Sequence, residues 1–452
     1  MISTLQVRHA ARPLASMLLA LSCFASSARA SPVPLSGLWD ATIHVGVIEV
    51  PFEFGIAVKG DAASGWFFNG EQKVTSSSGT YHDGHLLLEF DSYAKKLQAE
   101  LGNDGSLDGI YVTTTVGSTA APVAFHARHA TAASVAAGAN VPSIAGLWLV
   151  PAQSSKANEG AWRLIVRQTG PKVSAAILRV DGDTGSLTGR WQDGKLLLSH
   201  FDGARPALIE VTPAESGTLK LILHNSNGTD QTLTGYRQAD ATAKGLPAAA
   251  DPANHTTVKD PSQPLQFSFP DLNGHIVSNT DSQFQGKVLL IDISGSWCPN
   301  CHDEAPFLQQ IYRKYHSRGL EIVTLNFEDS PEQFANPVRL RAFVKDFGLE
   351  YIVLQAGTTQ RLHEMLPQAV NLDAYPTTFF VGRDGLVRGA HAGFAAPATG
   401  DFHSELKKAF TTKVEGLLAE KKSSAKSAAL AAVAVPVMAA AVPARDLPAA
   451  HP

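Results

Sequence analysis

The feature that most constrains this chain is Trp297-Cys298-Pro299-Asn300-Cys301, a cysteine pair at a strand-to-helix corner. The run Lys287 to Ile293 reads as a buried parallel strand, and Pro299 suits the first turn of the helix that follows. One helical turn separates the sulfurs, which places them on one face at a Cα separation of about 5 Å, within disulfide range. The chain has 452 residues but three cysteines, and the third, Cys23, lies in a segment patterned for removal during export. A mature chain would then hold two thiols, side by side, and that placement points to chemistry.

Residues 1–30 read as a secretory signal: Arg8, His9 and Arg12 form a basic start, Leu14 to Ala25 an apolar core, and Ala28-Arg29-Ala30 a cleavage site. The apolar core is too short to span a bilayer. Ala20-Leu21-Ser22-Cys23 loosely resembles a lipobox, with Ala where Leu is usual, so membrane attachment is expected only through lipid on Cys23. The expected location is periplasmic or secreted, or anchored to the outer face of a membrane, in an oxidising space. Loss of Arg8, Arg12 and Arg29 with the signal takes the formal charge from −4 to −7, which gives no reason to expect nucleic acid or an anionic membrane as partner.

Two β-rich modules follow, at 31–130 and 142–238. Gly37-Leu38-Trp39 returns as Gly146-Leu147-Trp148, and the block from Gly79 to Leu88 returns from Gly189 to Leu198 in the same order. Alternating stretches such as Phe52 to Ile56 and Arg163 to Arg167 have the period of half-buried strands. Turn pairs including Asn69-Gly70, Asp83-Gly84, Asp104-Gly105 and Asn227-Gly228 punctuate them. The expectation is a duplicated antiparallel meander, each copy closing into a barrel or sandwich. Trp39 and Trp148 are expected as core plugs, with a pocket or docking surface as the other role open to the modules. The histidines here lack the spacing of a metal site, so none is expected.

Residues 239–262 read as a linker without apolar period, and 413–452 as a low-complexity tail. Between them, strand, helix and strand alternate around the cysteine pair over 263–412, which implies an α/β layer fold. The order is Lys287 to Ile293, Leu320 to Phe327, a Val338 to Phe347 helix, a hairpin across Asp384-Gly385, and a closing helix over 401–420. At the helix N-terminus, free N–H groups and the helix dipole stabilise a thiolate on Cys298, the exposed nucleophile. Cys301, one turn later, is shielded and resolves the mixed disulfide.

Residues 263–412 resemble the thioredoxin superfamily, in particular the TlpA/ResA-like extracytoplasmic thiol–disulfide oxidoreductases. The likeness rests on Phe269 to Gly274, Gly286-Lys287-Val288, Trp297 to Cys301, Glu304-Ala305-Pro306 and Tyr375-Pro376-Thr377-Thr378-Phe379. It implies that Pro376 is cis and faces the cysteines, shaping a groove with Trp297, Tyr375 and Thr377 where a substrate strand pairs. It also implies that Glu304 lies near the site and influences its titration. No cofactor or metal is implied. The implied partners are a protein thiol or disulfide and an electron donor the sequence does not identify.

Two departures stand out. Ile293-Ser294-Gly295-Ser296 replaces the aromatic pair frequent in that family, which is expected to soften the surface beside Cys298. Asp292, six residues before Cys298, is expected to be buried behind Cys301 as a proton acceptor, or else a strand-end carboxylate bonded to nearby backbone. Three rival readings use the same residues. Cys298 to His302 also matches the CxxCH of covalent haem, with His302 otherwise a solvent-facing helix residue. A peroxiredoxin would carry Thr where Gly295 stands. The last is a β-module binding protein with a secondary redox domain.

Overall fold

The computed structural model describes residues 34–115, 118, 120–130, 141–192 and 194–420. The expected signal at 1–30, Cys23 with its lipobox-like surroundings, and the tail from 421 lie outside the described residues.

Both β modules are closed barrels. In each, eight of nine strands form an antiparallel ring and the ninth, Gln72–Thr75 or Gly182–Asp183, pairs outside it. Closure comes from the first strand pairing on both sides. Trp39 stands opposite Phe54 on one neighbour and His129 on the other, and Trp148 opposite Leu164 and Arg237. The strand Ala62–Asn69 alternates buried and part-exposed side chains, as a ring with one face inward requires. Phe54, Phe67, Phe90 and Phe125 meet inside the first barrel, so its interior is packed.

The duplication extends to side-chain detail. The Trp39 indole N–H donates to Leu35 O at 3.0 Å, and that of Trp148 donates to Ile144 O at 2.8 Å. In each copy the acceptor lies four residues back. Both rings are core plugs, and His129 stacks on Trp39 where the Arg237 guanidinium covers Trp148. Truncation of Trp39 to Ala is expected to cost about 3–5 kcal/mol. A fall in the denaturant midpoint of the full chain measures it.

The C-terminal domain is a five-stranded sheet in the order Ile352–Thr358, Leu320–Glu328, Val288–Ser294, Thr377–Val381, Val387–Ala392. The first three strands run parallel, and Thr377–Val381 is antiparallel to both of its neighbours. Alternation along the central strand explains the layers. Val288 and Leu290 face the helices Pro299–Tyr315 and Asp401–Ala419, while Leu289, Ile291 and Ile293 face Phe267, Phe284 and Leu362 on the opposite side. The central strand ends at Ser294, and the chain turns there into the helix that carries the cysteines.

Two expected boundaries shift. The closing helix spans Asp401–Ala419, close to the expected 401–420, because Phe410, Val414 and Leu417 repeat at helical spacing and bury one face; the boundary that shifts is that of the tail expected from 413, which begins as helix. The linker expected over 239–262 is built into the structure. Ala241 is buried against Leu149 and Ala161 of the second barrel, His255 bonds Asp373 at 2.6 Å, and Thr257-Val258 pairs with Val370-Ala369. Small side chains settle on shallow surfaces without any period in the sequence.

Candidate active site

Cys298 is the N-cap of the helix Pro299–Tyr315, and its sulfur accepts the Cys301 backbone N–H at 3.3 Å. The same N–H also reaches Cys298 O at 3.0 Å, so the first-turn donor is shared between the carbonyl and the sulfur. The same Sγ lies 3.5 Å from Tyr375 O, in the loop opposite. The cysteines are free thiols, and both are buried: Cys298, expected as the exposed sulfur, is only 3% exposed, because the loop at Tyr375 closes over it. Burial pushes the Cys301 thiol well above its ordinary range, and the Cys298 sulfur and Asp292 push it further. The pair is therefore asymmetric: one sulfur is held by a backbone donor, and the other keeps its proton.

Asp292 and Glu304 lie beneath the pair, both buried. Asp292 Oδ2 accepts from the Thr324 hydroxyl at 2.9 Å, while Oδ1 has no partner among the described residues. Burial raises its pKa to about 7 against that hydrogen bond. Glu304 is held well above the usual carboxylate range, first by burial and then by Asp292. Thr378 links the two acids, standing opposite Asp292 in the sheet register and donating to Glu304 Oε1 at 3.4 Å. Two carboxyl groups in one buried site do not readily ionise together, which is why each raises the other's hold on its proton.

The Tyr375–Pro376 peptide is cis. The Tyr375 ring meets Trp297 edge-on at 5.3 Å, and both rings are half-buried, where the expected groove would have its wall. Thr377 does not line that groove. It is fully buried and its hydroxyl donates to Ala374 O at 2.8 Å, which braces the turn from behind.

Two further expectations are corrected. Ser294, Gly295 and Ser296 do not open the surface beside Cys298. The Trp297 indole folds over Gly295 and donates to Phe327 O at 2.9 Å, so a Cβ on Gly295 would lie 2.4 Å from the ring. Ser296 is sealed under a Glu328–Arg339 ion pair, donating to Glu328 and accepting from Arg339. His302 is buried rather than solvent-facing. It stacks flat on Tyr93 at 4.3 Å and bonds Ser296 O at 2.8 Å, and burial lowers its pKa to about 4. Haem attachment would have to pull this ring out of its stack.

With this geometry in place, residues 262–390 match the AhpC/TSA family. The C-terminal region is an AhpC/TSA thioredoxin-fold domain. The thiol–disulfide oxidoreductase ResA of Bacillus thuringiensis subsp. konkukian is 28% identical over 123 residues, 27% of this chain and 62% of the relative. The chain thus spans less than two thirds of that relative's length. ResA of Bacillus subtilis is 27% identical over 135 residues, 30% of this chain and 68% of the relative. Among solved structures, a thiol:disulfide interchange protein DsbE from Chlorobium tepidum shares 24% identity, covering 34% of this chain and 93% of its own, with a TM-score of 0.27.

The thioredoxin-fold domain does not present its cysteines to open solvent. Asn300, between them, donates to Asp181 O of the second barrel at 3.0 Å and accepts from Arg205 at 2.7 Å. Arg205 also bonds Asp303 at 3.0 Å, and Asp202 of its own barrel. The first barrel joins through Asn69, which donates to Asp303 and accepts from Ser186 N at 2.8 Å. Sequence reasoning read Asn69 as a turn residue and did not single out Asp202, Arg205 or Asp303. No local pattern marks residues that meet only through the fold.

Proposed function

We propose that this chain is an extracytoplasmic thiol–disulfide oxidoreductase that reduces disulfides in protein clients through Cys298 and Cys301. The observation that carries the reading is the N-capping sulfur of Cys298 beside the cis-Pro376 turn, with a second thiol and two buried acids behind it. The Cys298 thiolate attacks a client disulfide, forming a mixed disulfide and releasing one client thiolate. Cys301 gives its proton to Asp292, with Glu304 tuning that acid, and attacks Cys298 Sγ. The second client thiolate leaves, and two electrons have passed to the client. A separate dithiol donor must then restore the pair.

The ResA relatives support this reaction class, and the signal-like N-terminus supports export. No helix among the described residues is long and apolar enough to cross a membrane. The AhpC/TSA match does not favour a peroxidase here, because Gly295 offers no hydroxyl where that chemistry would use a Thr.

Equilibration with glutathione buffers tests the proposal. Cys298 and Cys301 are expected to interconvert as one two-electron couple, with a potential at or below about −220 mV. A potential near about −120 mV, the range of a strong oxidant, would reverse the assigned direction. Absence of a reversible couple would remove the function.

A further inference from the structure

The proposed chemistry needs a client sulfur in line with Cys298 Sγ, yet a neighbouring module covers one side of that approach. The turn Val180–Asp183 of the second barrel lies against Ala374, Ala392, Gly393 and Phe394, the loops that flank cis-Pro376. Gly393 N–H donates to Pro376 O at 2.7 Å, so this surface is continuous with the cis-proline turn. The approach is backbone to backbone: a Cβ on Gly393 would fall 2.4 Å from Gly182 N and 2.5 Å from Val180 O. A Cβ on Gly182 would fall 2.3 Å from the Asn300 amide. Two glycines facing each other let a chain segment settle where a side chain would hold it away.

Polar bonds fasten the turn at both ends. Asp183 accepts Ala396 N–H at 2.6 Å, and Asp181 O accepts the Asn300 amide. Arg205 then ties Asn300 and Asp303 of the active-site helix to Asp202, which is fully buried. Apart from the Arg205–Asp202 pair, which lies within the barrel, each of these bonds joins the barrel to the segment that carries the cysteines or to the loop beside it.

We propose that the Val180–Asp183 turn and Arg205 are specificity determinants of the redox site: they wall off the Asn300–Gly393 side of the groove and admit clients by size. A slender, extended segment enters along the Trp297–Tyr375 side. A folded protein surface reaches Cys298 only after the turn is displaced. The inference rests on the redox reading for its meaning, but access to the sulfur is measured without turnover.

The test compares alkylation of Cys298 in the full-length reduced chain by iodoacetamide and by a maleimide on a large polyethylene glycol, read by peptide mass mapping. The small-to-large rate ratio in the native protein is expected to exceed that in the urea-unfolded chain by about tenfold or more. Two folded variants should bring it back toward the unfolded value. Arg205→Ala with Asp303→Asn removes the charged clamp without stranding a carboxylate on the helix. Gly182→Ala wedges the turn off Asn300 and leaves the charges in place. A native ratio equal to the unfolded one overturns the proposal even if neither variant folds. A ratio unchanged in a folded variant overturns the role of the turn. The glutathione titration decides the redox reading separately.

Discussion

Replacing Cys298 with Ser is expected to lower client disulfide reduction by about a thousandfold or more, because it removes the attacking sulfur outright. Replacing Cys301 with Ser should have a different signature. Cys298 remains at the helix N-terminus, though its helix donor is the Cys301 backbone N–H and not the side chain, so that bond survives the substitution. Attack on a client proceeds, resolution does not, and a covalent Cys298–client species accumulates that dissolves on adding dithiothreitol. Non-reducing gels of the two variants with a disulfide-bonded client distinguish the roles. Equal trapping by both variants would mean that either sulfur can attack. That outcome contradicts the asymmetry in which the Cys298 sulfur caps the helix while Cys301 keeps its proton.

The cysteine corner was legible because its determinants are local. A buried strand, a proline-started turn and two thiols one helical turn apart specify each other within about a dozen residues. The barrels were legible through repetition: a Gly-Leu-Trp block recurring in order marks a copied unit, and the matched Trp39 and Trp148 hydrogen bonds show how far the copy extends. What the sequence concealed is the docking of one module on another. Asp181, Gly182 and Asp183 have the composition of an ordinary turn, and turns and backbone-close interfaces select the same small polar residues. His302 was read as surface for a related reason. Its helical position faces Tyr93, which is about two hundred residues away in sequence, and no periodicity encodes such a meeting. The softened surface expected at Ser294-Gly295-Ser296 was misread because the missing bulk is supplied from outside the segment, by Trp297 above Gly295 and by Arg339 over Ser296.

Asp292→Asn is expected to stabilise the fold at neutral pH while impairing the chemistry, and pH separates the two effects. Burial raises the Asp292 pKa from 3.8 to about 7. Below about pH 4 the acid is protonated in both folded and unfolded chains and has no effect on the balance. Between about pH 4 and pH 7 the unfolded chain releases the proton and the folded chain keeps it, so stability falls as pH rises; above that range both are ionised and the penalty is complete. The shift of about three units sets an upper limit on the order of 4 kcal/mol, part of it shared with Glu304. The Asn variant lacks this loss. Denaturant melts should show it more stable than the parent at pH 7.5, with the difference vanishing toward pH 4. The Thr324 hydroxyl retains an acceptor, so the side chain stays seated. Resolution of the mixed disulfide, in contrast, should slow by about a hundredfold, because Cys301 loses its proton acceptor, and the inflection near pH 7 should disappear from its rate profile. A variant more stable at pH 7.5 but with an unchanged rate profile would leave Asp292 as a buried acid with no part in proton transfer. An equal stability gain at every pH would mean that the carboxyl is not held protonated in the fold.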